Sequence, residues 1–179
     1  MPALYLTAIR PNPPGRNGAD DTEIDPALLN EEWVEFEVRW NGRPFGGEEL
    51  YHLIRPWADP VGQERLARFP AIAVRPGQRV RVHTGAGEPT WQGNVLHWFL
   101  GRSRFAWSST CGDRALLVRD LAVADWAEYG PLPPQGVLTR VAGTNMFVPS
   151  LKSERTPYAA STTGGAAFSA ELFLQRLRG

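Results

Sequence analysis

Apolar and polar residues alternate along residues 31–40, and this is the clearest structural signal in the chain. Val34, Phe36 and Val38 occupy every second position. A period of two buries one face of a β-sheet and leaves the other face in water. The pattern therefore predicts a half-buried strand. The side chains expected to face solvent are Trp33, Glu35, Glu37 and Arg39.

Further short apolar runs, separated by turn residues, predict an all-β fold. At Pro76-Gly77, proline presets the first turn position and glycine accepts a positive φ at the second. A single helical turn is predicted over residues 63–67, and no long helix interrupts the first 130 residues. Short strands at this spacing favour an antiparallel β-sandwich. The other predicted strands are residues 4–9, 49–55, 71–74, 78–83, 95–100, 114–118 and 123–129.

The composition changes after residue 130, where three prolines occur within four positions. Further on, residues 156–167 form a low-complexity run of Ala, Ser, Thr and Gly, which predicts a flexible linker. We therefore divide the chain into a β-sandwich over residues 1–130 and a tail over residues 131–179. The short β-like segments in the tail are residues 137–141 and 146–148.

The chain ends with an amphipathic pattern. Apolar residues recur at the helical spacing i, i+3, i+4, i+7, and Ser169 precedes them as a candidate N-cap. This pattern predicts a helix over residues 169–178. A helix of about ten residues is not stable alone in water, so its apolar face must dock on another surface. The residues of this docking face are Ala170, Phe173, Leu174 and Leu177.

The composition predicts a folded protein in a reducing compartment. With 42% hydrophobic residues and seven Trp, the 179-residue chain has enough apolar surface to fold. Its single cysteine, Cys111, excludes an internal disulfide framework. No window approaches the roughly 18 apolar residues that a membrane span requires, and residues 1–15 lack the pattern of a secretory leader. We therefore expect a cytoplasmic protein that does not bind membranes.

Opposite charges are concentrated in different segments, although the formal net charge is zero. Residues 17–49 contain ten acidic residues and two arginines, whereas residues 65–119 contain nine arginines and two acidic residues. Either the two segments lie side by side and neutralise each other, or they form complementary faces that favour self-association or an acidic partner. The face expected to bind an anionic partner consists of Arg79, Arg81, Arg102 and Arg104.

The sequence contains no pattern typical of a catalytic, metal or cofactor site. The three histidines lack the short spacing of paired metal ligands, and the acidic stretch at residues 20–25 lacks the spacing of a calcium loop. No serine lies in a nucleophile elbow, and no glycine-rich loop carries a phosphate-binding lysine. We therefore predict no catalytic residues, no metal and no cofactor. Trp57 and Trp91 fall in predicted loops and are candidates for a binding surface.

The order of these segments resembles the lamin-tail domain, in its prokaryotic branch. The resemblance covers about residues 3–129. Two positions depart from it, because Ser108-Ser109 stands where members often carry Asn-Asn, and Tyr51-His52 where they often carry Gly-Trp. The segments that carry the resemblance are Leu4-Tyr5-Leu6-Thr7-Ala8-Ile9, Asn12-Pro13-Pro14-Gly15, Asn30-Glu31-Glu32-Trp33-Val34-Glu35-Phe36, residues 74–85, Gly101-Arg102-Ser103-Arg104, Trp107 and Gly112-Asp113-Arg114-Ala115-Leu116-Leu117.

This resemblance implies an immunoglobulin-like β-sandwich that binds or assembles and has no shared catalytic residues. We therefore expect a non-enzymatic protein-protein interaction or assembly module, which docks a partner or a second copy through a sheet edge and the C-terminal segment. Either the tail docks on a partner, or it packs back on its own sandwich and covers an edge. Nucleic-acid binding through the arginine face is the alternative function.

Overall fold

The computed structural model describes residues 4–16, 25–39, 45–54 and 63–150. Over these ranges the protein is an all-β sandwich, as predicted, with eleven strands and one short helix. The elements in chain order are β1 (Leu4–Asn12), α1 (Pro26–Glu31), β2 (Trp33–Val38), β3 (Glu49–Ile54), β4 (Gln63–Arg68), β5 (Arg79–His83), β6 (Thr90–Gln92), β7 (Val95–Phe99), β8 (Asp113–Arg119), β9 (Ala122–Tyr129), β10 (Gly136–Arg140) and β11 (Phe147–Pro149).

The strands form two sheets. The larger sheet has the order β11-β10-β1-β2-β5-β7-β6, and the smaller sheet has the order β4-β3-β8-β9. Neighbouring strands are antiparallel except β5 and β7, which run parallel. Between the sheets, the rings of Phe36, Phe45 and Phe69 meet with centroids 5.4–5.9 Å apart. Trp107 is buried in the same core and is 1% exposed.

The prediction that one face of β2 lies in solvent is wrong in part. Val34, Phe36 and Val38 are buried as expected, but Trp33 and Glu35 on the opposite face are buried as well. The reason is the neighbouring strand β5, since its outward-facing arginines cover them. The guanidinium of Arg81 lies 4.2 Å from the centre of the Trp33 ring.

Two sequence predictions for residues 63–74 are also wrong. Residues 63–68 contain good helix formers, but they are strand β4 because they pair with β3, and tertiary pairing overrides a local preference. Residues 71–74 are not a strand. The amide of Val74 donates to the carbonyl of Ile72 at 2.8 Å, a tight local turn that is incompatible with an extended ladder.

Helix α1 overlaps residues 12–29, whose polar, Gly- and Pro-containing sequence predicts a loop. Asp25 caps it by accepting a hydrogen bond from the amide of Ala27 at 2.9 Å, and Pro26 stands at its first position. Both features are strong helix-start signals. The turn at Pro76-Gly77 is confirmed, with Gly77 at φ +83° and the amide of Gln78 donating to Arg75 at 3.0 Å.

The larger sheet continues beyond residue 130. Strand β10 pairs with β1, and β11 pairs with β10, so residues 136–149 of the predicted tail cover an edge of their own sandwich. This corresponds to one of the two arrangements that the sequence left open for that segment. The predicted linker at residues 156–167 and the predicted helix at 169–178 lie outside the described residues.

Candidate protein-binding edge

Strand β6 forms a hairpin with β7 at one edge of the larger sheet. Only Gly93 and Asn94 connect the strands, and Gly93 has φ +57° whereas Asn94 does not have a positive φ. A two-residue turn with a positive φ at its first central position alone is of type II′, whose twist matches that of the flanking strands. Strand β6 is not among the strands predicted from the sequence, although Gly-Asn between two short β-like segments is a hairpin signal.

The register of the hairpin determines which backbone groups face the open edge. Gln92 lies opposite Val95, and Trp91 lies opposite Leu96. In a two-residue hairpin the pair that flanks the turn exchanges both hydrogen bonds, and the next pair exchanges none. The N–H and C=O groups of Trp91 therefore face away from β7, toward the side of β6 that has no described strand.

The side chain of Trp91 is exposed at this same position. It is 41% exposed, and its strand neighbours Thr90 and Gln92 are exposed as well. Behind it on β7, Trp98 is partly buried and packs edge-on against Phe69 with ring centroids 5.9 Å apart. The edge therefore presents a large aromatic ring together with unpaired main-chain groups.

The other sheet edges of the described residues are better protected. Strand β4 carries Arg65 and Arg68, charged side chains of the kind that discourage edge-to-edge pairing. Strand β11 is three residues long and ends at Pro149, which has no N–H group. Strand β9 is flanked by the segment before β11, where the amide of Glu128 donates to the carbonyl of Asn145 at 2.9 Å.

A buried carboxylate, Glu32, holds the segment that leads to β6. It accepts hydrogen bonds from the hydroxyl of Thr84 at 2.6 Å and from the amides of Ala106 and Trp107 at 2.8 and 3.2 Å. Arg16 forms an ion pair with it at 3.0 Å. These amides donate to Glu32 rather than to a neighbouring strand, and residues 105–107 belong to no strand of either sheet. Burial raises the pKa of Glu32 from 4.5 to about 7, although these hydrogen bonds and Arg16 lower it.

A row of charged residues lies on the outer face of the larger sheet. Glu35 is paired with Arg79 at 3.0 Å and with Arg81 at 2.7 Å, and it also accepts from the hydroxyl of Thr7 at 3.2 Å. These arginines belong to the predicted anion-binding face, but a carboxylate of the acidic segment already forms ion pairs with both of them. For this pair of segments the structure therefore shows local neutralisation.

The four predicted arginines do not form one surface. Arg79 and Arg81 lie on β5, whereas Arg102 follows β7 and forms an ion pair with Glu64 of β4 at 2.7 Å. Arg104 is exposed and has no ion pair within the described ranges. Glu64, the partner of Arg102, also belongs to a second network of charged side chains in the smaller sheet.

The second network centres on the buried His52. Its Nδ1 lies 3.1 Å from Asp113, and its Nε2 lies 3.2 Å from Glu64. A histidine between two carboxylates donates from both nitrogens and has no nitrogen left to act as a base for a nucleophile. Burial lowers the pKa of His52, but Asp113 and Glu64 raise it more strongly, so that the net shift is upward.

The remaining histidines form a pair beside β6. His83 Nδ1 donates to the carbonyl of Asn30 at 2.7 Å, so its Nε2 is left to accept from His97 Nδ1 at 2.8 Å. Burial lowers the pKa of His83, and neighbouring His97 and Arg81 lower it further. The pKa of His97 is also lowered, by burial and by Arg81.

These opposite shifts predict separate titrations of the histidines. The lowered pKa values of His83 and His97 mean that the unfolded chain binds protons at these residues more readily than the folded chain does. Through this pair the folded protein therefore loses stability as the pH falls below 6.5. The raised pKa of His52 has the opposite effect, because through this group the folded protein gains stability as the pH falls. We expect NMR of the imidazole nitrogens to show His52 titrating above pH 6.5 and the other two below it. The variant His97→Gln assigns the imidazole signals. A titration midpoint of His52 below pH 6.5 would contradict its pairing with Asp113 and Glu64.

No protein-family model matches the chain, and no curated protein matches it. Within the ranges that the structure describes, no group of three or more His, Cys, Asp or Glu residues is arranged to hold a metal ion. The same ranges contain no helix with the length and apolar character needed to cross a membrane. The predicted docking residues that lie outside those ranges are Ala170, Phe173, Leu174 and Leu177, and Trp57 lies outside them too.

Proposed function

We propose that the protein is a non-enzymatic protein-protein interaction module that binds an extended segment of a partner at β6. One observation carries the proposal: Trp91 combines a 41% exposed indole with N–H and C=O groups directed to an open sheet edge. Strand addition uses such main-chain groups for affinity and side-chain contacts for specificity. The resemblance to lamin-tail domains, known mainly as binding and structural modules, supports the same class of function.

The size of the edge determines the kind of partner. Strand β6 has three residues, and of these only Trp91 directs both main-chain groups outward. Pro89, which precedes the strand, has no N–H to offer. Few main-chain bonds are therefore available, and the indole must supply much of the binding energy, since buried tryptophans are frequent interface hot spots. We infer a short extended peptide that places an apolar side chain against Trp91.

Peptides selected from a random displayed library against the full-length chain provide the test. We expect Trp91→Ala to weaken their binding by about 30-fold, the effect of removing a hot-spot side chain worth roughly 2 kcal/mol. Trp91→Pro also removes the outward N–H and is expected to abolish binding, measured by fluorescence titration. It spares the bonds to β7, because the amide of residue 91 does not donate to that strand.

Leu121→Ala is the matched control, because Leu121 is 53% exposed in the distant β8–β9 turn. We expect this variant to bind the peptides as well as the unmodified chain does. Light scattering of the unmodified chain and Trp91→Pro tests the special case in which the partner is a second copy. Peptides that bind Trp91→Pro as tightly as the unmodified chain would refute the proposal.

Nucleic-acid binding through Arg79, Arg81, Arg102 and Arg104 is less well supported. Three of these arginines are paired with carboxylates, and such pairs must break before a phosphate can bind. Binding of DNA or RNA that weakens steeply with salt and on replacement of these arginines would favour this alternative instead.

A further inference from the structure

A second hydrophobic cluster lies on the outer face of the smaller sheet. Its side chains alternate with residues that face the core, such as Leu50 and Leu117, so they point away from the larger sheet. All of its members come from the three adjacent strands β3, β8 and β9. They are Tyr51, Leu53, Leu116 and Val118, with the partly buried Val123 and Trp126 packed against them.

This outer face is closed to solvent. Leu116 is 0% exposed, Val118 is 1% exposed and Leu53 is 4% exposed. Within the described ranges the cluster contains no residue of another layer; the contact of the Arg114 guanidinium with the Trp126 ring, at 4.6 Å, comes from the same sheet. The outer face of an antiparallel sheet is usually polar and wet. An apolar face this thoroughly buried indicates a covering segment.

We propose that the C-terminal segment of the same chain covers this face, with the predicted helix at residues 169–178 as the covering element. Its apolar stripe gives it the complementary chemistry, and a short helix needs such a surface in order to form. A ten-residue helix is about 15 Å long. The cluster has a similar length, because the four residue steps from Leu53 to Glu49 along β3 span roughly 13 Å.

The tether is long enough for this arrangement. Residue 150 follows β11, and the amide of Ser150 donates to the carbonyl of Val137 at 3.1 Å. Pro149 and Tyr129 line the same small cleft, and Tyr129 lies opposite Asp113 at the end of the smaller sheet where Leu53 also lies. The residues between 150 and the predicted helix number 18, and a flexible linker of that length spans about 25 Å.

The segment that joins β3 to β4 is a weaker occupant. It has eight residues, 55–62, and connects adjacent strands at the Leu53 end of the sheet. Val118 and Val123 lie near the opposite end, because Val118 pairs with Glu49 and Val123. Eight residues that run out and back reach this part of the cluster only when almost fully extended, at about 3.3 Å per residue, whereas a helix of about 15 Å covers its whole length.

Crosslinking within the full-length chain tests the proposal. Cys111→Ser removes the native thiol, and two cysteines are introduced by Val123→Cys and Leu174→Cys. A bifunctional maleimide with a reach of about 8 Å then joins sites that lie close together. The matched control replaces Val123→Cys with Asn94→Cys, an exposed position in the β6–β7 turn. We expect crosslinking within one chain to be at least tenfold faster for the first pair.

Two further variants separate docking of the helix from chance encounters of a flexible tail. Leu177→Asp changes the apolar stripe and is expected to slow the crosslink to the control rate. Gln175→Asp changes the opposite side of the predicted helix and is expected to leave the rate unchanged. Equal rates for the two cysteine pairs, or crosslinks formed only between two chains, would overturn the proposal. This result is independent of peptide binding at β6.

Discussion

Replacing Glu32 with alanine is expected to lower the free energy of unfolding by about 3–5 kcal/mol, the usual effect of removing one partner of a buried ion pair. The carboxylate is fully buried and binds Thr84, Arg16 and two main-chain amides. In the variant the Thr84 hydroxyl and the two amides lose this acceptor, and the buried Arg16 loses its counter-charge and keeps only the carbonyls of Pro11 and Trp107. Because domain stabilities are about 5–15 kcal/mol, this loss is a large fraction of the total.

Urea unfolding followed by tryptophan fluorescence measures this effect. Glu37→Ala, on the strand that follows Glu32, is the matched control, because Glu37 is partly exposed and pairs only with Arg39 among described residues. We expect that variant to change stability by less than about 0.5 kcal/mol. A similarly small effect for Glu32→Ala would show that the carboxylate is not the anchor of these segments.

The pH dependence of the Glu32→Ala effect has a definite sign. The pKa of Glu32 rises from 4.5 to about 7 in the folded protein, so between these values the folded state binds the proton more tightly than the unfolded state does. The unmodified chain therefore gains stability from this group as the pH falls from about 7 to 4.5. We expect the difference between the unmodified chain and the alanine variant to increase over that interval.

Replacing Asp125 with alanine is also expected to lower the free energy of unfolding by about 3–5 kcal/mol. Asp125 accepts a hydrogen bond from the amide of Leu6 at 2.7 Å and forms an ion pair with Arg140. It thereby connects β9 of the smaller sheet to β1 and β10 of the larger sheet. The amide of Leu6 needs this acceptor, because the described pairing of β1 with β10 begins only at Ala8.

A double-mutant cycle with Arg140→Ala tests this connection. Both side chains are nearly buried. We therefore expect the loss of unfolding free energy in the double variant to be at least about 1 kcal/mol smaller than the sum of the losses in the two single variants. Glu88→Ala, an exposed acidic residue in the loop before β6, is the control for loss of a carboxylate. Additive effects of Asp125→Ala and Arg140→Ala would show that the two side chains do not act as a pair.

Most strands could be predicted because their own residues specify them. The strand predictions at residues 49–55, 78–83, 95–100, 114–118 and 123–129 are confirmed as β3, β5, β7, β8 and β9. Each of these segments is apolar on at least the face that meets the core, and this is the property that a sequence displays. The all-β sandwich followed directly from them.

Features that depend on distant partners could not be predicted. Strand β4 has the residues of a helical turn and becomes a strand through its pairing with β3. Glu35 was expected in water, because nothing in β2 indicates that Arg79 and Arg81 lie beside it. Glu32 accepts hydrogen bonds from Thr84 and Ala106, which lie 52 and 74 positions further along the chain. Long-range electrostatic pairs of this kind leave no periodic pattern.

The candidate edge stands between these two cases. The sequence makes Trp91 a candidate for a binding surface but predicts a loop around it. The Gly93-Asn94 turn was a sufficient local signal for the hairpin. Its position at the edge of the sheet was not, because that depends on the parallel pairing of β7 with β5.

Amide hydrogen exchange at Trp91, followed by NMR with and without a selected peptide, tests the central claim most directly. In the free protein, we predict fast exchange at Trp91 and slower exchange at Thr90 and Gln92, whose amides face β7. Saturating peptide is predicted to slow exchange at Trp91 at least tenfold. A Trp91 amide already protected in the free protein, or unchanged when the peptide binds, would contradict strand addition at β6.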